Sequence, residues 1–306
     1  MSTASGTNRT LQNRAVLGIS LMILGLALYP LSDAFVKHLM GIYSVHQTMF
    51  LRALTRVVPL LIAASMQGGL KKILATEHPK NHAIRLLVNL AYTAAFMYAF
   101  SMGSLTVVYT LSYTSPFFMI VLSAWMLKEK AGKERWIAVG IGMIGVIVAM
   151  RPGSNLFEMA ALLVLAGTFL GALNKILMRR LAATEHSLTI AIYPNLMMIL
   201  ATSFFLANSW QPMPWEHWVI FGFVGMITAA GQYAIAQALR YAQGSALAPV
   251  DYSTFFWVVA LDFFWWQRTV EMHIVTGAAI IVSSNLYILY CTRREEAKKK
   301  ALAAEG

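Results

Sequence analysis

Cysteine is almost absent from this sequence, since Cys291 is the only one among 306 residues. A single thiol excludes an intrachain disulfide and a metal cage built from cysteine ligands. Charged residues are also few, at 12% of the chain against 58% hydrophobic residues. Soluble domains contain about 25% charged residues, so the composition excludes an ordinary soluble protein. We therefore predict an integral membrane protein.

Acidic residues are scarce, with 13 Asp and Glu against 24 Lys and Arg. The resulting net charge of +11 can indicate a nucleic-acid partner, but its distribution argues against one. Basic residues collect in both tails and in alternate loops, whereas only Lys37, Arg151 and Arg268 lie in the other loops. This asymmetry predicts a cell (inner) membrane protein with both termini in the cytoplasm and no nucleic-acid partner.

Long apolar runs predict about ten membrane spans. Each run has about 20 residues, the length that crosses a hydrocarbon core of ~30 Å at ~1.5 Å per residue. We place the spans at 15–36, 44–65, 83–101, 105–127, 136–150, 159–178, 187–207, 216–238, 246–266 and 272–291. The connections are short, so no extramembrane domain is expected.

A sequence pattern recurs in the two halves of the chain. Ser115-Pro-Phe-Phe corresponds to Ser253-Thr-Phe-Phe 138 residues later, and Tyr98–Ser104 parallels Gln237–Ser245. Because five spans is an odd number, the second copy must insert upside down, an arrangement that supports alternating access. The fold class is therefore an all-α membrane protein of about ten helices in two inverted five-helix repeats. The predicted segments are a cytoplasmic tail at 1–14, repeats at 15–151 and 152–291, and a basic cytoplasmic tail at 292–306.

Three acidic residues, Asp33, Asp251 and Asp262, fall inside predicted spans. A carboxylate inside a membrane costs several kcal/mol unless it is paired, hydrated or protonated, so each is a functional candidate. We predict that Arg52 neutralises Asp33, either as a structural ion pair or as part of a transport site. Asp262 lies near the outer end of its span, where a pair with Arg268 is expected. Asp251 has no obvious local cation, which favours a functional role.

Prolines and polar groups also interrupt the apolar spans. The prolines inside spans are Pro30, Pro59, Pro116, Pro194 and Pro249. Pro116 and Pro249 lie in the duplicated spans 4 and 9, so we expect both spans to bend near the same place. Polar and aromatic residues at similar depth are Tyr92, Tyr109, Tyr113, Asn174, Gln232, Gln237 and Tyr252. Such a mixture suits a pocket for a planar or zwitterionic solute. The alternative is that these groups only join helices by hydrogen bonds.

Some short patterns resemble catalytic or metal-binding motifs, but the residues around them argue against both functions. The glycines of Gly140–Gly145 fit a dinucleotide pattern, but they lie in an apolar span without a preceding strand, so we interpret them as helix-packing residues. His78 and His82 have metal-like spacing, yet Pro79 separates them. No Ser/His/Asp set and no paired carboxylates gather at one depth. We predict no catalytic residues, no metal site and no cofactor, and hence not an enzyme.

The motifs resemble those of a known family. They are DAFVK (Asp33–Lys37), Arg52, SPFFMIVLSAWMLKEK (Ser115–Lys130), RWIAVGIGMIGVIVAMRPGS (Arg135–Ser154) and APVDYS (Ala248–Ser253). Together they resemble the EamA type of the drug/metabolite transporter superfamily. The branch of the family that these motifs resemble includes proteins named S-adenosylmethionine uptake transporters, and related branches move amino acids or riboflavin. The resemblance implies a central cavity lined mainly by spans 1, 3, 4, 6, 8 and 9. Where the family's second repeat usually ends in a Gly-Glu pair, this chain has Trp266-Gln267.

The expected function is that of a secondary transporter of a small organic metabolite. The candidate substrate-binding or transport residues are Asp33, Arg52, Tyr92, Tyr113, Asn174, Gln232, Asp251 and Tyr252. By the inverted repeat, Tyr113 and Asp251 correspond and are expected to face each other across the cavity. The expected partners are the solute and the lipid bilayer, while proton coupling and a homodimer stay open. The alternative is a non-transporting membrane protein, either a structural subunit or a lipid-modifying enzyme.

Overall fold

In the computed structural model, residues 3–66, 69, 75–76, 79–126, 128, 132–150, 155–181, 185–241 and 247–305 are described. Within these ranges every regular element is helical and no strand occurs. The sequence predictions that concern His78, Lys130 and Arg151 lie outside the described residues.

Eleven α-helices and one 3₁₀ segment follow one another in the described ranges. They are α1 (Thr3–Met40), α2 (Val45–Met66), α3 (Pro79–Met102), α4 (Leu105–Ser112), α5 (Ser115–Met126), α6 (Lys133–Met150), α7 (Asn155–Leu181), α8 (Ser187–Ser209), α9 (Trp215–Tyr241), the 3₁₀ segment Ala248–Ser253, α10 (Thr254–Trp266) and α11 (Met272–Glu305). Eight helical stretches in the described part are long and apolar enough to cross a membrane, with Leu105–Met126 (α4 and α5) counted as one.

The two remaining predicted spans are also helical. The prediction at 136–150 falls in α6, whose first turn carries the charged residues Lys133, Glu134 and Arg135. The prediction at 246–266 falls on the 3₁₀ segment and the short helix α10. Each of the ten predicted spans thus corresponds to helical structure. The prediction of an all-α, multi-pass membrane protein is confirmed.

Spans 4 and 9 are interrupted where the prolines predicted a bend. Between α4 and α5 the helix breaks at residues 113–114, because Pro116 has no N–H to continue the ladder. The backbone N–H of Phe117 donates to the carbonyl of Thr114 at 2.9 Å, one residue closer than in a regular α-helix. Span 9 begins with the 3₁₀ segment that contains Pro249. By contrast, Pro30 and Pro59 lie inside continuous helices.

The helices form two compact units. The first unit contains Met1–Glu77 and Glu185–Thr269, and the second contains His78–Thr184 and Val270–Gly306. In the first unit α1 packs on α9 and α2 packs on α8, while in the second α3 packs on α7 and α6 packs on α11. Every one of these pairs joins a helix from the first half of the chain to one from the second half. The compact units therefore do not coincide with the predicted repeats at 15–151 and 152–291. The repeats describe an expected duplication of the sequence and stay a prediction.

Side chains in and just after the α1–α2 turn bond to the α8–α9 connection and to the start of α9. Gln47 Nε2 donates to the carbonyl of Gln211 at 2.8 Å, and the N–H of Gln211 donates to Gln47 Oε1 at 2.9 Å. The Tyr43 hydroxyl is hydrogen-bonded to Nδ1 of His217. Burial raises the pKa of the Tyr43 phenol above its ordinary value of 10.0, so at neutral pH the phenol keeps its proton. These bonds fix the start of α2 against the connection between α8 and α9.

Close packing of α6 on α11 depends on Gly277. A Cβ atom added to Gly277 would lie 2.5 Å from Ala149 Cβ and 2.7 Å from the carbonyl oxygen of Gly145. Real Cβ atoms do not approach a backbone this closely, so only glycine allows the two helices this contact. Small residues let helix backbones approach closely where lipid supplies no hydrophobic driving force.

The helix-packing interpretation of Gly140–Gly145 is confirmed for two of its glycines. A Cβ on Gly142 would overlap the ring of Phe117 at 2.0 Å, and one on Gly145 would lie 3.0 Å from the carbonyl oxygen of Gly277. The interpretation is wrong for Gly140, since a Cβ there would have no atom of the described residues within 4 Å.

Replacing Gly277 by alanine is expected to destabilise the protein by roughly 1–3 kcal/mol, because the added methyl group forces α6 and α11 apart. The measurement is the unfolding free energy of the purified protein in detergent micelles. Gly140→Ala is the matched control on α6, where the free space predicts no loss and a gain of up to about 1 kcal/mol from helix propensity. Equal stability of the Gly277→Ala variant and the wild type would contradict the packing argument.

Candidate functional site

Asp33 of α1 and Arg52 of α2 form a buried ion pair in the first unit. Nη2 of Arg52 donates to Oδ1 of Asp33, and the two residues are 9% and 8% exposed. The predicted pairing is confirmed. Each charge inside a span is costly alone, and the contact lets each compensate the other.

Further polar contacts join α1 to α9 beside this pair. Ser32 Oγ and Thr228 Oγ1 lie 2.9 Å apart, and Thr228 uses its own proton to bond the carbonyl of Val224 at 2.8 Å. Ser32 is therefore the donor in the contact between the two helices. One turn away, the hydroxyl of Tyr29 is hydrogen-bonded to the side chain of Gln232. Residues 29, 32 and 33 lie three and four positions apart, so they share one face of α1.

Arg56 adds a second guanidinium to this polar region. It lies one turn beyond Arg52 on α2, is half-buried, and interacts electrostatically with the hydroxyl of Tyr29. The sequence places Arg56 with Arg52 on the span that follows Asp33, but Arg56 was not among the candidate transport residues. The overlooked signal is its place at the centre of the span Val45–Met66, the most costly depth for a charge.

Asp251 and Tyr252 lie in the 3₁₀ segment of the first unit. The Thr254 hydroxyl donates to the carbonyl of Asp251 at 2.8 Å and so ties the 3₁₀ segment to the start of α10. The Asp251 side chain is exposed and Tyr252 is half-buried, while the segment packs on α1. The carboxylate at this position is thus accessible, in contrast to the buried Asp33.

Asp262 lies close to a cation that the sequence analysis did not consider for it. The side chain is 1% exposed, and the backbone N–H of Arg268 donates to its carbonyl at 3.1 Å. The Asp262 carboxylate is close enough to Lys37 to stabilise its charge electrostatically. Nζ of Lys37 also lies 5.1 Å from the ring centre of Trp266, within range of a cation–π interaction. Lys37, which was not considered as a partner of Asp262, therefore joins α1 to the end of α10.

Tyr92 and Asn174 lie in the second unit, on α3 and α7. Nδ2 of Asn174 donates to Oδ1 of Asn89 at 3.3 Å, which joins the two helices. A Cβ on Gly171 would lie 2.9 Å from Tyr92 Cε2, so the missing side chain of Gly171 makes room for the tyrosine ring. The ring of Phe96 packs edge-on against Tyr92 at 5.2 Å. Both residues therefore contribute to helix packing, as the alternative interpretation expected.

Tyr113 lies at the break in span 4, where α11 supplies a partner that the sequence reasoning missed. The carbonyl of Tyr113 would bond the N–H of Phe117 in a regular helix, but that N–H bonds Thr114 instead. Nδ2 of Asn285 donates to the Tyr113 carbonyl at 2.7 Å. Asn285 is buried at 4% exposure and therefore restores, from another helix, a backbone bond that the break removed.

Lys175 of α7 is the second residue that the sequence reasoning missed near this break. Its Nζ donates to the hydroxyl of Ser115, the first residue of α5, at 3.2 Å. The signal for both missed residues was a polar side chain inside an apolar span. The predicted partners Tyr113 and Asp251 belong to different compact units, and each is described within its own unit.

Groups of three or more His, Cys, Asp or Glu side chains that could hold a metal ion do not occur among the described residues. The chemistry of the described site is therefore that of hydrogen bonds, guanidinium and carboxylate charges, and aromatic surfaces.

Separate Asp33→Asn and Arg52→Gln substitutions are each expected to destabilise the protein by about 3–5 kcal/mol, because either leaves one buried charge without its partner. The double variant is expected to lose at least about 1 kcal/mol less than the sum of the single changes. Unfolding free energies in detergent micelles provide the measurement. Arg52→Gln combined with Glu216→Gln, an exposed carboxylate in the first turn of α9, is the additive control. Strict additivity of the first pair would mean that the two side chains do not interact.

Comparison with known proteins places the chain among transporters. The profile of the EamA-like transporter family matches residues 12–151 and again residues 158–290. A crystal structure with 16% sequence identity superposes with a TM-score of 0.59, covering 92% of this chain and 99% of the other. This structural similarity supports the all-helical fold described above.

Several relatives are named as transporters. The riboflavin transporter of Vibrio cholerae is 28% identical over 194 residues, which are 62% of this chain and 64% of that protein. The match thus spans less than two thirds of the Vibrio protein. The S-adenosylmethionine uptake transporter of Rickettsia bellii is 22% identical over 92% of this chain and 97% of its own length. An uncharacterized transporter of Helicobacter pylori is 24% identical over 94% of this chain and 100% of its own length.

Proposed function

Because the chain belongs to the EamA-like transporter family, we propose that it moves a small organic metabolite across a bacterial inner membrane by alternating access. The double match to the family profile carries this proposal, since it covers both halves of the chain. Secondary transport needs no nucleotide-binding domain, and the predicted short connections leave no room for one.

The first candidate solutes are S-adenosylmethionine, riboflavin and amino acids. S-adenosylmethionine and riboflavin appear in the names of relatives at 22% and 28% identity. Aromatic and polar side chains lie together in each unit, as in Tyr29 with Gln232 and in Tyr92 beside Asn89 and Asn174. Such side chains suit solutes that contain flat rings and hydrogen-bonding groups.

The proposed transport residues fall into two kinds. Asp33 and Arg52 neutralise each other in a buried pair, so we assign them to holding α1 and α2 in register. Asp251, Tyr252 and Gln232 are at least partly exposed, so we assign them to solute contact. We assign Tyr92, Tyr113 and Asn174 to the walls that orient the solute.

Asp251 is proposed either to exchange a proton or to bind a cationic group of the solute. Its exposed carboxylate and its place in a non-α-helical segment support both roles. The two roles differ in their consequences for the Asp251→Asn variant, in which the charge is lost while the shape is nearly kept.

Purified protein in liposomes is expected to take up at least one of the labelled candidate solutes, and Asp251→Asn separates the two roles. A proton-exchanging Asp251 predicts that the variant loses pH-gradient-driven uptake by at least about tenfold but keeps solute exchange. A charge-binding Asp251 predicts that exchange is lost as well. Glu216→Gln is the matched control, because Glu216 is an exposed carboxylate at the start of α9. Wild-type uptake by the Asp251→Asn variant under a gradient would contradict both roles.

Both termini are proposed to be cytoplasmic, since the basic residues concentrate in the loops on that side. The cysteine of Gly132→Cys is then expected to react with an impermeant maleimide in inverted vesicles but not in intact cells. The native Cys291 is 1% exposed, so it should contribute little labelling. Thr269→Cys, at an exposed position in the connection before α11, is expected to give the reverse pattern. Labelling of position 132 in intact cells would overturn this orientation.

A further inference from the structure

The helix α10 has an irregular backbone at each of its ends. At its start the 3₁₀ segment Ala248–Ser253 interrupts span 9, and a 3₁₀ stretch inside a longer helical span often marks a hinge. At its end Gln267 has a φ of 53° and a ψ of 32°, a left-handed conformation that residues with a side chain adopt uncommonly. Between these points Thr254–Trp266 is a regular helix. The backbone therefore allows α10 to turn as one rigid body about the 3₁₀ segment.

One side of α10 is packed and another is exposed. Thr254, Val258 and Asp262 are buried and follow one another at intervals of four residues, so they form one stripe along the helix. Among the described helices, α10 packs mainly on α1. Phe256 and Phe264 are exposed, as expected for apolar side chains that face lipid. A turn of α10 therefore acts mainly on its contact with α1.

Side-chain contacts hold the far end of α10 to α1. Nζ of Lys37 lies 5.1 Å from the ring centre of Trp266, within range of a cation–π interaction. The ring of Phe35 meets the ring of Trp265 edge-on, with the two ring centres 4.8 Å apart. The Asp262 carboxylate, one turn before Trp266, adds an electrostatic attraction to Lys37. None of these contacts uses a backbone hydrogen bond of α1 or α10, so they can break while both helices stay intact.

The hinge at the other end of α10 carries two of the proposed solute contacts. Asp251 and Tyr252 lie in the 3₁₀ segment itself. The 13 residues of α10 separate them from the Lys37 contact by about 20 Å of helix. A turn of α10 changes the backbone torsions of the 3₁₀ segment and with them the direction of both side chains. Release of the far end and reorientation of Asp251 are therefore parts of one movement.

We propose that Lys37 and Trp266, assisted by Asp262 and Trp265, form a latch that closes the α1–α10 contact and opens when α10 turns about the 3₁₀ segment during transport. A gate of this kind needs a hinge, a rigid moving element and a closing contact that is weak enough to break. The 3₁₀ segment, α10 and the cation–π contact supply these three parts. This inference rests on the proposed transport function and adds to it the moving element and the contact that holds it closed.

The first test measures how fast a buried thiol beside the latch reacts. Val258 is buried one turn before Asp262, so Val258→Cys places a thiol on the packed stripe of α10. Its rate of reaction with a water-soluble maleimide is measured on the purified protein in detergent micelles, and this measurement requires no transport. Lys37→Met and Trp266→Leu are each expected to raise the rate about three- to tenfold, because either change removes the cation–π contact and so favours the open state.

Controls separate the latch from general destabilisation. Trp257→Leu is the matched control, because Trp257 is an exposed tryptophan of the same helix, and it is expected to change the rate by less than about twofold. The native Cys291 is buried in the second unit, so its own rate reports global unfolding and is expected to stay unchanged. If Val258→Cys does not fold, Ser253→Cys takes its place, since Oγ of Ser253 is buried and the change nearly keeps the shape of the side chain.

The second test locks the latch in liposomes. Cysteines from Lys37→Cys and Trp266→Cys are joined by a short bismaleimide, and uptake of the labelled candidate solutes is compared before and after the reaction. The joined protein is expected to lose uptake by at least about tenfold, because α10 can no longer leave α1. Each single-cysteine variant, treated with the same reagent, is the control and is expected to keep its uptake.

Several outcomes would overturn the latch. They are an unchanged reaction rate in both Lys37→Met and Trp266→Leu, an equal increase in Trp257→Leu or at Cys291, and full uptake by the joined protein. Uptake by a wild type whose variants show no change in reaction rate would leave the transport function standing while removing the latch. The expected reaction rates in a protein that takes up none of the candidates would contradict the transport function and support the latch.

Discussion

The hydrocarbon interior supplies no hydrogen bonds, and the rest of the structure depends on this constraint. Continuous α-helices meet it within each span, so interruptions need partners from elsewhere. At the break between α4 and α5, Phe117 bonds Thr114 and Asn285 bonds the carbonyl that this rearrangement leaves at Tyr113. A span can thus contain an irregular backbone whose polar groups keep hydrogen-bond partners. Irregular backbone of this kind is where transporters place their solute contacts.

Charged side chains face the same constraint, and the first unit meets it in two ways. The Asp33–Arg52 pair is buried, and each charge compensates the other. Arg56 is half-buried inside its span, and Asp251 is exposed in the 3₁₀ segment. We interpret the buried pair as structural and propose Asp251 for solute contact. The polar contacts between Tyr29 and Gln232 and between Ser32 and Thr228 join α1, which carries Asp33, to α9.

The candidate site could be predicted only in part. The Asp33–Arg52 pair was predictable, because opposite charges on consecutive spans have few other partners. Asn285 was missed, since an isolated polar residue in an apolar run does not show which helix it will face. Tyr92 was predicted for solute contact, and its fit against Gly171 shows a packing role that hydropathy does not reveal. Only Arg268 was expected near Asp262, and Lys37 of α1 also lies near it, because the fold brings the end of α10 to that helix.

The sequence by itself determined the number of spans, the bends at Pro116 and Pro249, and the family. These features depend on local properties, namely the length of an apolar run and the missing N–H of proline. Only the tertiary structure decided which helices pair: α1 with α9, α3 with α7, and α6 with α11. The Tyr113–Asn285 bond joins residues 172 positions apart, and the contact at Gly277 requires a fit between two backbones. Such complementarity belongs to pairs of distant surfaces, so no single stretch of the sequence contains it.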